Sequence, residues 1–271
     1  DVLSDERASL PLTRWGNPSQ TSAILHSLGQ RLSLIQGPPG TGKTQTACKL
    51  LRCSTLLKAK KPNFLATACS NEATDNILDG LAPMNLKVVR LGRSAHPHLR
   101  KFGLRWQARQ TDRVKAASDR ILKARRAKKA AHKEGLQGLE LRPFFEQIIQ
   151  EWKNWRSCLK AACLYIIKQA DGVVSTCSAA GDTMLDDFSF QLVLIDEASQ
   201  ASEPEAMIPL TRGMPEGQLP EPELQEEIFF VNNTAEDEYF IEVVNEMVKP
   251  QNKNDVTVAV DAEWFTDDYP L

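Results

Sequence analysis

The run Gly37-Pro38-Pro39-Gly40-Thr41-Gly42-Lys43-Thr44 follows directly on the apolar stretch Leu32-Ser33-Leu34-Ile35. A glycine-rich loop so placed leaves a buried strand and opens a helix, here Gln45 to about Lys60, with apolar residues at Ala47, Leu50, Leu51 and Leu57. The glycines let the backbone wrap closely with its N–H groups turned inward, an arrangement that cradles a polyphosphate. Lys43 supplies a point charge for the β- and γ-phosphates, and the Thr44 hydroxyl is placed to ligate Mg²⁺. The positive end of the helix dipole aims at the same anion. The plainer alternative is a Gly/Pro-rich loop that holds no ligand.

A second motif weighs against that alternative. Gln191-Leu192-Val193-Leu194-Ile195 reads as a buried parallel strand and ends in Asp196-Glu197-Ala198-Ser199-Gln200. Carboxylates at the carboxyl end of a strand suit nucleotide hydrolysis, Asp196 holding Mg²⁺ through water and Glu197 orienting and deprotonating the attacking water. On its own the acidic pair would read as helix N-terminal charges. In a chain with a phosphate loop the hydrolytic reading is the stronger.

Further strands are expected at Phe64–Ala68, Lys87–Leu91 and Gly172–Thr176. They alternate with helices over Gln20–Leu28, Asn71–Leu81 and about Lys101 to Gln169. This alternation predicts an α/β fold, a doubly wound and mostly parallel sheet with its ligands at the carboxyl ends of the strands. The six cysteines show no C-x-x-C and no Cys/His pairing, which argues against zinc and against a disulfide framework and fits a cytoplasmic or nuclear location. No stretch approaches the ~20 apolar residues of a membrane span. The chain begins at Asp1 rather than Met, which suggests a fragment.

The net charge of −2 conceals an asymmetry: residues 214–271 carry 15 acidic and 2 basic side chains, and residues 1–213 carry a net of +11. The break predicts a boundary near Gly213, a Pro- and Glu-rich linker over 214–227 and a small acidic α/β segment over 228–271. Within 1–213, an insertion at 100–170 stands out. Residues 100–133 hold 13 Lys/Arg against 2 Asp/Glu in an Ala-rich helical composition. Gly135 and Gly138 break the helix and Pro143 starts the next, which predicts a projecting helical hairpin. Such a surface can follow a phosphate backbone, or it is a solvated helix face with no partner. The Phe and Trp residues of the second helix are expected in the core.

Taken in order, these segments resemble the first RecA-like domain of superfamily 1 helicases, in the nonsense-mediated-decay and senataxin group, over about residues 14–213. Asn17-Pro18-Ser19-Gln20 is similar to the adenine-reading motif, which implies that Gln20 bonds the base edge. Thr67-Ala68-Cys69-Ser70-Asn71 and Val174-Ser175-Thr176-Cys177 resemble strand-contacting segments, which implies nucleic-acid contacts at Ser70, Asn71 and Thr176. Asp196-Glu197-Ala198-Ser199-Gln200-Ala201 resembles the second hydrolysis motif, and Gln200 would couple the γ-phosphate to domain movement. The resemblance implies ATP and Mg²⁺ as cofactors, single-stranded RNA or DNA as partner, and no membrane.

After Gly213 the chain departs from that pattern. The next loop of the family and its second RecA-like domain, which brings arginines to the γ-phosphate, are not recognisable. The expectation is therefore an ATP-binding first motor domain whose own hydrolysis is slow. Its alternatives are a catalytically inactive nucleic-acid-binding module or a fragment of a helicase–exonuclease fusion. The last alternative rests on Val256–Val260 running into Asp261-Ala262-Glu263, which resembles the opening of a DnaQ-like 3′–5′ exonuclease, or is a β-α-β scrap ending in acidic residues.

Overall fold

The computed structural model of the chain describes residues 17–55, 62–93, 96–213 and 257–262. In chain order these form α1 (Pro18–Gly29), β1 (Leu32–Gln36), α2 (Lys43–Ser54), β2 (Phe64–Ala68), α3 (Asn71–Leu81) and β3 (Val88–Arg90). They continue with α4 (Leu104–Gln110), α5 (Asp112–Lys133), α6 (Arg142–Gln169), β4 (Gly172–Thr176), β5 (Leu192–Asp196), α7 (Glu203–Thr211) and β6 (Thr257–Ala262). Among the described residues, no helix is long and apolar enough to cross a membrane.

Among the described residues, the six strands are all parallel, in the order β1-β6-β5-β2-β4-β3. Such a sheet must be covered on both faces, and the strand sequences supply apolar residues to each. On one face Phe64, Ala66, Val174, Leu192 and Leu194 pack with Ile24 of α1, Leu50 and Leu51 of α2, and Ile77 and Leu78 of α3. On the other, Leu65, Val89, Val173, Val193 and Ile195 pack with Leu104 and Ala108 of α4, Cys163 and Ile167 of α6, and Ala206 and Leu210 of α7. All six cysteines are free thiols.

The insertion is α4 followed by an antiparallel pair, α5 and α6. At ~1.5 Å per residue, α6 is ~42 Å long against ~17 Å for a five-residue strand. Only its C-terminal third, Leu159 to Ile167, packs on the sheet core. It turns straight into β4, so its N-terminal half projects past the carboxyl edge of the sheet. There it is held by α5, through a cluster of Val114, Ala117, Cys158 and Trp155 and a bond from Trp155 Nε1 to Ser118 Oγ (2.9 Å). One aromatic expectation is corrected in this arm. Phe145 is 46% exposed, as is Ile149 at 54%, because the projecting half of α6 has α5 on one side and no sheet beneath it. Lys128 Nζ lies 3.7 Å from the Phe145 ring centre, and the Arg125 guanidinium 5.6 Å from that of Trp152.

A strand at Val256–Val260 was expected within a separate acidic segment over 228–271, and the structure has it at Thr257–Ala262. Instead it is inserted between β1 and β5, with Val258 in register with Leu32 and Val193. Two parallel neighbours satisfy both of its hydrogen-bonding edges, which a stretch as rich in β-branched residues as Thr257-Val258-Ala259-Val260 favours. The linker expected at 214–227 and the rest of the acidic segment expected over 228–271 lie outside the described residues.

Gly172 opens β4 in register with Phe64, and a Cβ added to it would sit 2.1 Å from Cε2 of that ring. Phe64 is fully buried and cannot swing away. Gly172→Ala should therefore destabilise the fold by about 1–3 kcal/mol through overpacking. Urea unfolding should show a lower midpoint at unchanged slope, and Phe64→Leu in the same chain should recover part of the loss.

Candidate nucleotide and nucleic-acid site

The loop between β1 and α2 owes its shape to two left-handed residues, Gly40 (φ 79°) and Gly42 (φ 82°), positions that L side chains rarely adopt. Thr41 Oγ1 donates to the Pro38 carbonyl (2.8 Å), and Lys43 Nζ donates to the carbonyls of Gly37 (2.8 Å) and Pro38 (3.4 Å). The ammonium thus lies across the mouth of the loop. Gln20 is carried on the first turn of α1, where Asn17 Oδ1 caps the helix by accepting the Gln20 N–H (2.9 Å). Its side chain reaches the loop, Nε2 donating to the Thr41 carbonyl at 2.9 Å. Gln20, His26, Gly37, Thr41, Lys43 and Thr46 are among the residues lining a cavity of about 470 Å³ between α1 and the loop.

Thr44 Oγ1 donates to Asp196 Oδ2 at 3.3 Å across 152 residues of sequence. Asp196 is the last residue of β5 and 2% exposed. A hydroxyl and a carboxylate at this separation form the hard-oxygen pair that a small divalent cation takes. Glu197, next along, adopts a left-handed conformation (φ 53°, ψ 45°) that turns the chain out of the strand into the short helical turn Ala198–Gln200. Its carbonyl accepts the Gln200 N–H (3.0 Å) and the Cys69 thiol (S···O 3.9 Å). Burial, with the Cys177 thiol beside it, pushes Cys69 up to about 12, so it remains a protonated donor at neutral pH. Gln200 is exposed.

The nucleic-acid candidates lie on the same edge of the sheet. Ala68, at the end of β2, is in register with Asp196 on one side and Thr176 on the other. Two residues on, Ser70 caps α3, its Oγ accepting the Ala73 N–H at 3.0 Å. Thr176 Oγ1 accepts the Ala179 N–H at 3.2 Å. Asn71 Oδ1 accepts from Arg90 Nη2 at 3.0 Å. The fold thus brings Gln20, residues 37–44, Asp196, Glu197 and Gln200 to one half of the edge, and Ser70, Asn71 and Thr176 to the other.

Sequence reasoning missed Asn17 as the cap that fixes Gln20, and Arg90 with Asp75. Both members of that pair are fully buried, with Nε 3.2 Å from Oδ1. Burial lowers the Arg90 pKa from its ordinary value, while the bond to Asp75 and its charge act to raise it. A signal was present: a charge inside the apolar run Val88-Val89-Arg90-Leu91 must find a buried partner.

The left-handed Glu197 carries a backbone cost of about 1–2 kcal/mol that glycine would not. Glu197→Gly should raise the stability of the fold by about 0.5–1 kcal/mol, despite removing a carboxylate from the centre of the site. Chemical denaturation of the two proteins checks this, and a loss of stability would count against the strain.

A protein-family profile described as an AAA domain matches residues 16–216. The chain is 34% identical over 214 residues to the ATP-dependent helicase NAM7 of Saccharomyces cerevisiae, covering 79% of this chain and 20% of that protein. It is 34% identical over 199 residues to the regulator of nonsense transcripts 1 homolog of Neurospora crassa, covering 73% and 17%. It is 33% identical over 204 residues to the DNA polymerase alpha-associated DNA helicase A of Schizosaccharomyces pombe, covering 72% and 29%. A solved structure of the Type ISP restriction-modification enzyme LlaGI matches at TM-score 0.40 and 13% identity, over 91% of this chain and 17% of that one, a likeness too slight to argue from. The chain spans less than a third of each of these three relatives. The profile ends at residue 216, so the exonuclease-like run at 256–263 lies outside the match. By its profile match and its relatives, the chain belongs to the AAA-domain family and carries the first RecA-like domain of a superfamily 1 helicase of the nonsense-mediated-decay and senataxin-like group.

Proposed function

We propose that this chain is the ATP-binding motor half of an ATP-dependent nucleic-acid helicase, with hydrolysis at the loop 37–44 and a single strand held at the ends of β2 and β4. The observation that carries the reading is the 3.3 Å approach of Thr44 Oγ1 to Asp196 Oδ2. Strand order brings these two positions together, and the residues that occupy them are a hydroxyl and a carboxylate, the pair that a phosphate-bound divalent cation takes.

In this reading Gln20 bonds the adenine edge. Residues 37–42 wrap the phosphates with their backbone N–H groups, and Lys43 exchanges its bonds to the loop carbonyls for bonds to the β- and γ-phosphates. Thr44 and Asp196 would hold Mg²⁺, whose charge offsets that developing on the phosphate oxygens. Glu197 takes the proton of the attacking water, and Gln200, exposed one turn on, contacts the γ-phosphate. Ser70, Asn71 and Thr176 bond the backbone of the bound strand. Contacts of that kind follow phosphates without reading bases, so they serve RNA and DNA alike. A cytoplasmic or nuclear location suits its free thiols.

In the family, arginines from an opposing RecA-like domain complete the hydrolytic site, and a missing arginine of this kind costs about 10³–10⁵ in turnover. The isolated chain should therefore bind MgATP but hydrolyse it slowly and unwind nothing. Lys43→Ala should weaken MgATP binding at least about ten-fold, the worth of one charge-assisted bond, and remove the residual turnover. Calorimetry and a multiple-turnover assay check this, with and without single-stranded nucleic acid. Fast, strand-stimulated turnover by the chain alone would contradict the expected slow hydrolysis. Absence of Mg²⁺-dependent nucleotide uptake would sink the assignment.

The projecting arm adds a second contact in the same reading, since Arg125, Arg126 and Lys129 are exposed on it and Lys128 half-buried. Each phosphate neutralised on a single strand contributes a slope of about −0.7 to log K against log salt. Neutralising all four should flatten that slope by about 2–3. An unchanged slope would assign the arm's charge to another partner or to bare solvent.

A further inference from the structure

Arg90 is a fully buried cation at the end of β3, where its neighbours Val88, Val89 and Leu91 complete an apolar strand. An apolar residue there would fill the core without the desolvation penalty of an ion pair, so stability alone does not account for it. Its bonds point to another role. Nε donates to Asp75 Oδ1 (3.2 Å), Nη1 to the Leu91 carbonyl, and Nη2 to both the Arg93 carbonyl (3.0 Å) and Asn71 Oδ1 (3.0 Å). The other oxygen of Asp75 accepts the His96 N–H at 3.2 Å. One guanidinium thereby ties the first turns of α3 to the end of β3 and to the chain entering the arm.

A guanidinium only donates, so the one atom of the Asn71 amide that can face it is the oxygen. The NH₂ group is then turned the other way, on a side chain that is exposed at the carboxyl edge of the sheet. We infer that Arg90 is a positioning residue for nucleic-acid binding: by holding the amide oxygen of Asn71 inward it presents both N–H donors of Nδ2 to the phosphate oxygens of the bound strand. The opposite flip would set a carbonyl lone pair against a phosphate, and a free amide would sample both. This inference rests on the proposed reading of Asn71 as a nucleic-acid contact. The ligand class is a phosphodiester backbone, since neutral N–H donors at this place discriminate neither base nor sugar.

The test is a double-mutant cycle on the full chain, read as the Kd for a single-stranded oligouridine. Lysine can pair with Asp75 as a point charge but cannot bridge Asp75 and Asn71 together. Arg90→Lys and Asn71→Ala should each weaken binding by at least about ten-fold, the worth of one hydrogen bond to a charged group. The double variant should bind no worse than the weaker single. Fold-changes that multiply would make Arg90 merely structural and overturn the inference while leaving the Asn71 contact standing. An Asn71→Ala chain that binds as tightly as the parent would remove the contact itself, and the inference with it. MgATP affinity of Arg90→Lys, expected to be unchanged, reports that the variant is folded. Should it not fold, Asn71→Asp decides. That variant keeps an acceptor for Arg90, now charged, and loses the outward donors. Its unfolding midpoint should rise while oligouridine binding falls at least ten-fold, and an unmoved midpoint would mean that Arg90 does not hold this side chain.

Discussion

The approach of Thr44 to Asp196 depends on strand order more than on either residue. Thr44 sits on the first turn of α2, and Asp196 is delivered by β5, third in the strand order from β1. The two meet because α2 packs its Leu50 and Leu51 over a face to which β5 contributes Leu192 and Leu194. The helix is therefore laid over the sheet between β1 and β5, with its N-terminus at the carboxyl edge. Burial of the carboxylate follows from the same packing, and it raises the value of any cation or N–H donor brought to it, since charge is poorly screened there.

Along that edge the site divides at β2. The strand has β5, with its acidic pair, on one side and β4, with Thr176, on the other, and it carries Ser70 and Asn71 just past its own end. The two halves are joined by short covalent and hydrogen-bonded steps. Thr67 Oγ1 donates to the Leu194 carbonyl (3.0 Å) within the sheet, and Cys69 donates to the Glu197 carbonyl at its rim. Glu197 is already in a strained conformation, and its carbonyl is one hydrogen bond and one peptide from Ser70. The arrangement places β2 between the proposed nucleotide and strand sites.

Much of this was legible in the sequence because it rests on local pattern. Apolar-rich runs marked Leu32–Gln36, Phe64–Ala68 and Gly172–Thr176 to the residue, and the last two are buried on both faces, which leaves no polar alternation to blur their ends. The phosphate loop declared itself by glycine positions that only the left-handed conformation explains. The partnership of Arg90 with Asp75 and Asn71 was not legible, because side chains 15 and 19 residues away meet only after β3 has been laid beside β4 and α3 folded back over it. The place of Thr257–Ala262 was hidden for a similar reason. Its sequence announces a strand, but strand pattern carries no information about which neighbours it will pair with. The charge break near Gly213 pointed to a boundary, and across that boundary the sheet nonetheless takes in six residues.

The arm shows how tertiary contact can reverse a compositional reading. In sequence the cations of residues 107–133 run without an interleaved Phe, Trp or Tyr, and the aromatics of 144–155 follow as a separate apolar stripe. Folding α5 against α6 interdigitates them, so that Lys128 covers Phe145 and Arg125 stands over Trp152. A cation above a ring is worth about 0.5–1 kcal/mol where exposed, and its aliphatic stem shields apolar surface that the absent sheet would otherwise have covered. This is how a half-helix reaching on the order of 20 Å beyond the domain stays folded on its own small cluster of Val114, Ala117 and Cys158. The charges therefore have a structural role as well as the proposed electrostatic one. The two can be separated by position: Arg126 and Lys129 make neither ring contact, so they carry charge that the arm does not need for its own folding.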